Sequence, residues 1–337
     1  MSEAARSFLA AQPRVILGHW PTPLQPCDRL SEQLGGPRIW LKRDDCSGLA
    51  IGGNKTRKLE FLLGKALAEG CDGVITFGAL QSNHARQTAA ACAKLGLSCD
   101  LILTRAVPRS DEFYTGSGNV LLDRLLGAHL HIVEDSDAAF EKFAELYEAA
   151  QESGRSLFGI VPGGSDSTGV LGYVQGTLEL AEQVTALGLD LDSILVAAST
   201  AGTAAGIVLG AEIANLNAQV RVACVYEPAS VTGAELDSLV AATAADLGCA
   251  IADRSTWSVS DAPLGEGYGI PTHAGQAAIE LLATTEGVLL DPVYTGKAFG
   301  YLLDLITQGQ LDEQRDVVFV HTGGSPGLFA YGPIFAE

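Results

Sequence analysis

The sequence predicts an α/β protein built from open, twisted, mostly parallel sheets with helices on both faces. Short apolar runs typical of buried strands alternate with longer segments whose apolar residues recur at helical spacing. This alternation favours parallel sheets joined by crossover helices. Loops rich in Gly, Ser, Thr and Asn follow several predicted strands, where such sheets bind ligands. The length of 337 residues suggests about two domains.

The elements follow in order along the chain. The first 37 residues are expected to be irregular, because Pro21 and Pro23 bias the residues before them away from helix. Strands are predicted at residues 38–42, 73–77, 101–103, 130–133, 157–161, 193–198, 220–226, 287–290 and 317–321. Helices are predicted to begin at Lys55, to follow the turn at 199–206, and to span residues 84–95, 119–126, 137–154, 168–187, 233–247, 272–286 and 295–307.

The domain organisation is predicted to be an insertion, because no linker-like or repeated stretch interrupts the chain. Residues 53–167 would form the smaller domain, which carries Lys55 and a carboxylate-binding loop. Residues 1–52 and 168–337 would together form the larger one.

The composition narrows the class of protein. A formal net charge of -19 argues against nucleic acid as a partner, since that requires a basic surface. The seven cysteines form no close pair at metal-ligand spacing, so we expect no metal site and a reducing compartment. There is no apolar signal segment and no apolar run long enough to span a bilayer. We therefore expect a soluble cytoplasmic protein without a membrane partner.

The stretch Gly52–Glu60 is the first candidate for chemistry. Gly52 and Gly53 free the backbone, Asn54 can cap a helix, and Lys55 falls in its first turn. The positive dipole end of a helix disfavours a charged lysine, and a neutral lysine is a nucleophile that forms Schiff bases. The alternative is a basic helix end in water.

Two strand-to-helix turns are candidates for binding anions. The turn Ser199–Gly206 brings backbone N–H groups to a helix start without bulky side chains, which suits a phosphate, although it matches neither nucleotide-binding fingerprint. In Gln81-Ser82-Asn83, free N–H groups can bind a carboxylate, the Ser82 hydroxyl can lie near a reacting carbon, and Asn83 can donate to a phenolate. The alternatives are tight helix packing and a plain helix cap.

Four further residues complete the candidate set. His84 could act as a general base, although a capped surface histidine is favoured. Tyr268 lies in a glycine-rich loop, and Tyr294 follows a predicted strand, so either can deliver or remove protons; packing roles are equally open. Thr322, followed by two glycines after the last strand, could bring backbone close to a flat ring, or simply form a turn.

Four of these motifs together resemble one known family. Gly52–Glu60, Gln81-Ser82-Asn83, Asp291-Pro292-Val293-Tyr294 and His321-Thr322-Gly323-Gly324 occur in the order found in the aminocyclopropane-carboxylate deaminase and D-cysteine desulfhydrase family. Its members are pyridoxal-phosphate enzymes with the tryptophan synthase β-like fold (fold type II). The resemblance covers nearly the whole chain. It implies bound pyridoxal 5'-phosphate, a small amino-acid substrate and a homodimer.

The resemblance also implies roles for individual residues. Lys55 would form the Schiff base with the cofactor, and Asn83 would bond its phenolic oxygen. The substrate carboxylate would bind Ser82 and the N–H groups of Asn83 and His84. Tyr268 and Tyr294 would face the substrate as catalytic groups. The cofactor phosphate would be held by the backbone of Thr200, Ala201, Gly202 and Thr203.

One departure from the family pattern bears on the substrate. The deaminase branch has a glutamate after the second tyrosine, which pairs with the pyridine nitrogen, but this chain has Thr295. A hydroxyl from Thr295 or Thr322 makes the ring a weaker electron sink than a carboxylate does. Opening a cyclopropane needs the stronger sink, whereas expelling a thiol needs less.

The function implied is therefore the β-elimination of D-cysteine to pyruvate, hydrogen sulfide and ammonia. An L-cysteate sulfo-lyase is a similar sister branch, notably around Gly52–Glu60, and the deaminase is a further alternative. Two other classes stay open from the residues alone. They are a protein that binds pyridoxal phosphate without turnover, and a nucleotide-binding Rossmann protein.

Overall fold

The computed structural model describes residues 3–250, 253–313 and 315–335, and within these ranges ten strands form two separate sheets. The strands are β1 (Leu24–Pro26), β2 (Arg38–Lys42), β3 (Gly73–Ala79), β4 (Ser98–Thr104), β5 (His129–Val133), β6 (Leu157–Ile160), β7 (Leu191–Ala198), β8 (Gln219–Cys224), β9 (Trp257–Ser260) and β10 (Asp316–Val320).

The α-helices of the described chain surround both sheets. They are α1 (Glu3–Ala11), α2 (Asp28–Leu34), α3 (Lys55–Ala68), α4 (Asn83–Leu95), α5 (Glu112–Gly116), α6 (Gly118–Leu125), α7 (Ser136–Glu152), α8 (Ser167–Leu187), α9 (Gly202–Ala214), α10 (Ala229–Leu247), α11 (His273–Glu286), α12 (Thr295–Thr307) and α13 (Ser325–Ala330).

The larger sheet has the strand order β1-β2-β10-β7-β8-β9, and only the pairing of β1 with β2 is antiparallel. Side chains alternate between its faces, as strand geometry requires. Ile194 and Val196 pack under α8, α9 and α10, while Leu195 and Phe319 pack on the opposite face with α11 and α12. Both faces are thus buried, which explains the continuous apolar runs of these strands.

The smaller sheet has the order β5-β4-β3-β6 and is entirely parallel. Leu101 and Leu103 join the core beneath α3, α4 and α6, and Ile75 and Ile102 face α7. All four strands come from residues 73–160, inside the stretch expected to be an insertion. The domain boundaries at 52/53 and 167/168 remain a prediction.

The predicted fold class, with two mostly parallel sheets covered by helices, is confirmed. The prediction that the first 37 residues are irregular is wrong, because α1, β1 and α2 lie within them. Buried Glu60 fixes part of this segment: its carboxylate accepts from the Arg14 guanidinium at 2.6 and 2.8 Å and from the Leu17 N–H at 2.8 Å. Helices α5 and α13 and strand β9 were not predicted.

The strand predicted at 287–290 does not form. Val288 and Leu290 are buried and Leu289 is exposed, so the segment alternates like a strand. However, the Leu289 carbonyl accepts a hydrogen bond from His321 Nε2 at 3.0 Å, and the segment pairs with no strand of the described chain. Tyr294 therefore follows an irregular segment and immediately precedes α12.

The carboxyl ends of strands from both sheets meet around one cavity. The loops after β3, β4, β6, β7, β8 and β10 all contribute to its wall. This is where an open parallel sheet binds its ligand. As for membranes, none of the helices in the described ranges combines the length and the apolar character of a bilayer-spanning segment.

Candidate active site

The cavity has a volume of about 270 Å³ and lies between the two sheets. It brings together nearly all the residues that the sequence singled out, although they come from distant parts of the chain. They are Lys55, Ser82, Asn83, His84, Thr200, Ala201, Gly202, Thr203, Tyr268, Tyr294 and Thr322. Thr295 does not line it.

The approach to Lys55 depends on two glycines. Gly52 has φ 68° and Gly53 has φ 128°, values that residues with a Cβ rarely adopt. A Cβ on Gly52 would lie 2.0 Å from the carbonyl oxygen of Asp45, and one on Gly53 would lie 2.6 Å from Gln87 Nε2. The predicted need for glycine at both positions is confirmed, because only a bare backbone fits here.

Lys55 is half-buried at the first position of α3. Burial disfavours its charged form and lowers the pKa of Lys55 to about 8. The direction of the shift agrees with the expectation from the sequence, and burial of the side chain is a further cause that the sequence did not reveal. Among the described residues, no carboxylate lies within 4.0 Å of the Lys55 ammonium to oppose this effect. The side chain is therefore suited to act as a neutral nucleophile or base.

Asn54 does not cap α3 as expected. Its side-chain amide instead donates to Thr203 Oγ1 at 3.0 Å, so it ties the start of α3 to the start of α9. The competing interaction wins because Asn54 has helical backbone angles (φ -61°, ψ -25°) rather than the extended ones of a cap.

Ser82 caps α4, since its Oγ accepts the Ala85 N–H at 3.2 Å. The first N–H groups of a helix have no intrahelical partner, so those of Asn83 and His84 remain for a ligand. The interpretation of His84 as a surface residue was wrong: it is 3% exposed, and Nε2 lies 2.9 Å from Thr76 Oγ1. Burial, with Lys55 and Lys58 nearby, holds the pKa of His84 well below its ordinary value.

The turn before α9 is the predicted anion cradle, and it lines the cavity. Ala201 has φ 48°, an uncommon value for a residue with a Cβ. The Gly202 N–H is engaged by the Thr200 carbonyl at 2.5 Å, so the first-turn N–H groups of Thr203 and Ala204 are left to face the cavity. A Cβ on Gly202 would meet Ser165 Oγ at 2.6 Å, which explains the small residue.

Lys58 does not line the cavity but contacts its wall at Gly163, and the sequence analysis did not single it out. Its buried Nζ donates to the Gly163 carbonyl at 3.0 Å and to Ser165 Oγ at 2.9 Å, and Ser165 Oγ lies 2.7 Å from Thr200 Oγ1. Burial and the nearby Lys55 charge lower the pKa of Lys58. Within the described chain no carboxylate lies within 4.0 Å of Lys58 Nζ, and the more distant charges of Asp166 and Glu235 only partly oppose the lowering of its pKa. The feature of the sequence that could have identified Lys58 is its position in the motif Gly52–Glu60.

The two predicted tyrosines form a pair. Tyr268 Oη and Tyr294 Oη are 2.5 Å apart, and burial raises the pKa of both, so both stay protonated at neutral pH. Lys297 of α12 fixes the Tyr268 loop, because Nζ donates to the carbonyls of Leu264 and Gly267 at 2.8 Å. Tyr226, which packs edge-on against Tyr268 at 4.8 Å, also lines the cavity and was not predicted.

The two threonines proposed for a ring nitrogen differ in position. Thr295 is fully buried, and its hydroxyl donates to Asp291 Oδ1 at 2.7 Å and accepts the Asp291 N–H at 2.8 Å. Thr322 lies on the cavity wall. The Thr295 hydroxyl is thus used by hydrogen bonds to Asp291 at the start of α12, and of the two threonines only Thr322 lines the cavity.

Comparison with known proteins adds to this geometry. Residues 15–323 match the family described as "Pyridoxal-phosphate dependent enzyme", and the chain belongs to this family. It is 44% identical to a D-cysteine desulfhydrase of Klebsiella pneumoniae (strain 342) over 325 residues, which cover 95% of this chain and 97% of that protein.

Solved structures agree on the fold. An "ACC deaminase homologue" is 39% identical, with a TM-score of 0.89 over 99% of this chain and 98% of that one. The threonine deaminase isoform 2 of Solanum lycopersicum is 17% identical, with a TM-score of 0.69 over 98% of this chain and 91% of that one. The latter supports the fold alone, and the fold is that of the fold type II pyridoxal-phosphate enzymes.

The site fits the cofactor of this family. Lys55 supplies a desolvated amine, and the start of α9 supplies backbone N–H groups close to Lys58 Nζ, which suits a phosphate. Asn83 and Thr322 add neutral hydrogen-bonding groups on the wall between them. The donor set therefore matches an aldehyde, a phosphate and a polar ring.

Proposed function

We propose that this enzyme eliminates sulfide from D-cysteine, giving pyruvate and ammonia. The observation that carries the proposal is the composition of the cavity. Lys55, Ser82 and the tyrosine pair face one space, and the wall residues within the described ranges include no Asp, Glu or Arg. The D-cysteine desulfhydrase relatives at 43–44% identity over nearly the whole chain support the same reaction.

The substrate carboxylate binds at the start of α4. The N–H groups of Asn83 and His84 point out of the first helical turn, and the helix dipole favours an anion there. Ser82 Oγ already accepts the Ala85 N–H, which leaves its own proton for the carboxylate. These contacts orient Cα relative to Lys55.

Besides Lys55, groups on α3, α4 and α9 and in the loop after β10 would hold the cofactor. The N–H groups at the start of α9 and Lys58 Nζ would bind its phosphate, Asn83 would donate to its phenolic oxygen, and Thr322 would lie at the ring nitrogen. When bound, pyridoxal phosphate stabilises negative charge that develops at the substrate Cα.

Lys55 moves the proton at Cα. A pKa of about 8 leaves a minor fraction of the Lys55 amine neutral at pH 7 and most of it neutral above pH 8, so the side chain can serve as a general base and should do so better under mildly alkaline conditions. The wall around Lys55 is mostly apolar or hydroxylic, and no carboxylate among the described wall residues competes for this proton.

The tyrosine pair serves the leaving group. Because burial keeps both hydroxyls protonated, one of them donates a proton to the departing sulfur while the other stabilises the resulting phenolate through their 2.5 Å hydrogen bond. The Cβ–S bond breaks, and hydrolysis of the remaining unsaturated amino acid uses one water. D-Cysteine and water thus give pyruvate, hydrogen sulfide and ammonia.

The same wall disfavours the two alternative substrates. Opening a cyclopropane calls for a carboxylate at the ring nitrogen, and the site offers the Thr322 hydroxyl instead. The sulfonate of L-cysteate calls for a cationic partner such as a guanidinium, whereas Arg57 is buried in ion pairs with Asp44 and Glu179. Thiol elimination has neither requirement.

The test is a comparison of substrates on the purified holoenzyme. D-Cysteine, L-cysteine, L-cysteate and aminocyclopropane-carboxylate are supplied in parallel, and pyruvate, sulfide, sulfite and 2-oxobutyrate are measured. We expect kcat/KM to be highest for D-cysteine by about tenfold or more, since a misplaced Cα–H is no longer aligned with Lys55. Preference for L-cysteate, or 2-oxobutyrate as the main product, would contradict the proposed substrate.

We further propose a cytoplasmic homodimer. All seven cysteines are free thiols, which suits a reducing compartment. Exposed apolar side chains, Phe113, Leu121, Leu125 and Phe329, lie on the packed helices α5, α6 and α13, where a second copy would cover them. Light scattering should give twice the 35.0 kDa mass of one chain, and cell fractionation should place the enzyme in the cytoplasm.

A further inference from the structure

We propose that Asn119 is a positioning residue that fixes the side-chain amide of Asn83 with its NH2 group toward the cofactor. The inference rests on the proposed role of Asn83 as donor to the phenolic oxygen. Asn119 lies on α6, is 0% exposed and does not line the cavity, so it acts only through its neighbours.

Arg86 sets the direction of the hydrogen bonds in this chain, because its guanidinium has donors but no acceptor. Its Nε lies 3.0 Å from Asn119 Oδ1, so that oxygen must accept. Asn119 Nδ2 then donates to Asn83 Oδ1 and to the Gln81 carbonyl, both at 3.0 Å. If the Asn119 amide were flipped, its NH2 group would face the Arg86 guanidinium, which is also a donor. Its oxygen would then face the oxygens of Asn83 and of the Gln81 carbonyl.

The surrounding contacts hold this arrangement in place. Arg86 Nη1 donates to the carbonyls of Ala50 at 2.5 Å and Gly52 at 2.8 Å, in the loop that leads to Lys55. The Asn119 N–H donates to Gln81 Oε1 at 2.9 Å. Arg86 and Asn119 are fully buried, so water has little access to compensate for a lost bond.

The consequence appears at Asn83. Because its Oδ1 is occupied by Asn119, its Nδ2 is the group left to face the cavity. A donor there stabilises a negative phenolic oxygen, whereas a flipped amide would present a carbonyl oxygen and repel it. Asn119 thereby sets the charge preference of the cofactor from outside its binding pocket.

The experiment is a pH titration of the visible absorption of the bound cofactor in Asn119→Asp. The new carboxylate still accepts from Arg86 but cannot donate to Asn83, so the Asn83 amide loses its preferred orientation. We expect the midpoint to rise by about one pH unit, because a charged oxygen loses a hydrogen bond. Asn119→Ala, which adds no charge, should shift it in the same direction. Asn217→Asp, an identical change at an exposed position, should not shift it.

The double variants identify the route of the effect. Asn83→Ala alone should raise the midpoint, and adding Asn119→Asp or Asn119→Ala to it should cause no further shift. A full additional shift in the Asn83→Ala background would overturn the inference, since Asn119 would then act through charge or fold. A shift with Asn83→Ala but none with either Asn119 variant would overturn it while leaving the role of Asn83 intact. No shift with Asn83→Ala would remove that role, and the inference with it.

Discussion

Replacing Lys55 with alanine is expected to abolish release of pyruvate and sulfide from D-cysteine, with kcat falling by about 10³-fold or more. The same side chain provides the amine that binds the cofactor and the base that moves the proton at Cα. Its pKa near 8 and its position on the cavity wall support both roles. Initial rates of the variant, reconstituted with excess pyridoxal phosphate, measure the loss.

The loss should come from chemistry and not from unfolding. Lys55 is half-buried and faces the cavity, so its removal leaves the packing of α3 intact, and the unfolding midpoint should change little. Lys65→Ala is the matched control, because Lys65 is an exposed lysine of the same helix. Turnover by Lys55→Ala at the wild-type rate would end the assignment.

Replacing Arg57 with methionine is expected to lower the free energy of unfolding by about 3–5 kcal/mol. The buried Arg57 guanidinium donates to Asp44 at 2.8 and 2.9 Å and to Glu179 at 2.8 and 3.1 Å, and it lies 4.0 Å from the Trp20 ring. Without it, a fully buried carboxylate at Asp44 loses its main counter-ion. Chemical denaturation followed by circular dichroism measures the difference.

A surface ion pair provides the control for this variant. Arg105 pairs with Glu134 at 3.2 Å, but both side chains are exposed, so Arg105→Met should cost less than about 1 kcal/mol. Equal losses in the two variants would show that burial of the pair contributes nothing.

The Arg57 pairing also predicts a dependence on pH. Burial alone would raise the pKa of Asp44, but Arg57 outweighs it and lowers the pKa to about 2. A carboxyl whose pKa is lowered in the folded state contributes stability above its unfolded pKa of about 4, and this contribution is lost as the pH falls toward 2. The wild-type protein should therefore lose stability between pH 4 and pH 2 more steeply than Arg57→Met.

Most of the fold could be predicted because the parallel strands are continuous apolar runs between amphipathic helices. The prediction failed where alternating apolar residues are buried without forming a strand. At residues 287–290 the His321 side chain takes the place of a neighbouring strand. The regular structure of the first 37 residues was not predicted. Its order depends on hydrogen bonds to Glu60, some 40 residues away, and no local sequence pattern reveals such contacts.

The site was predictable to the extent that its residues lie at strand ends. Gly52 and Gly53 follow from backbone geometry, and Ser82 follows from helix capping. Partners across the cavity could not be predicted, since the contacts of Asn54 with Thr203 and of Lys58 with Ser165 join segments more than 100 residues apart. The choice between Thr295 and Thr322 as the residue near the ring nitrogen likewise needed the position of Asp291, which binds the Thr295 hydroxyl.

The central claim is that Lys55, rather than its buried neighbour Lys58, holds the cofactor. Both lysines have a lowered pKa and lie near the anion cradle, so the claim needs a direct measurement. Borohydride reduction of the holoenzyme, followed by proteolysis and mass spectrometry, locates the attached pyridoxyl group. We expect the label on Lys55, with Lys58 unmodified. A label on Lys58 would contradict the proposed arrangement of cofactor, phosphate cradle and base.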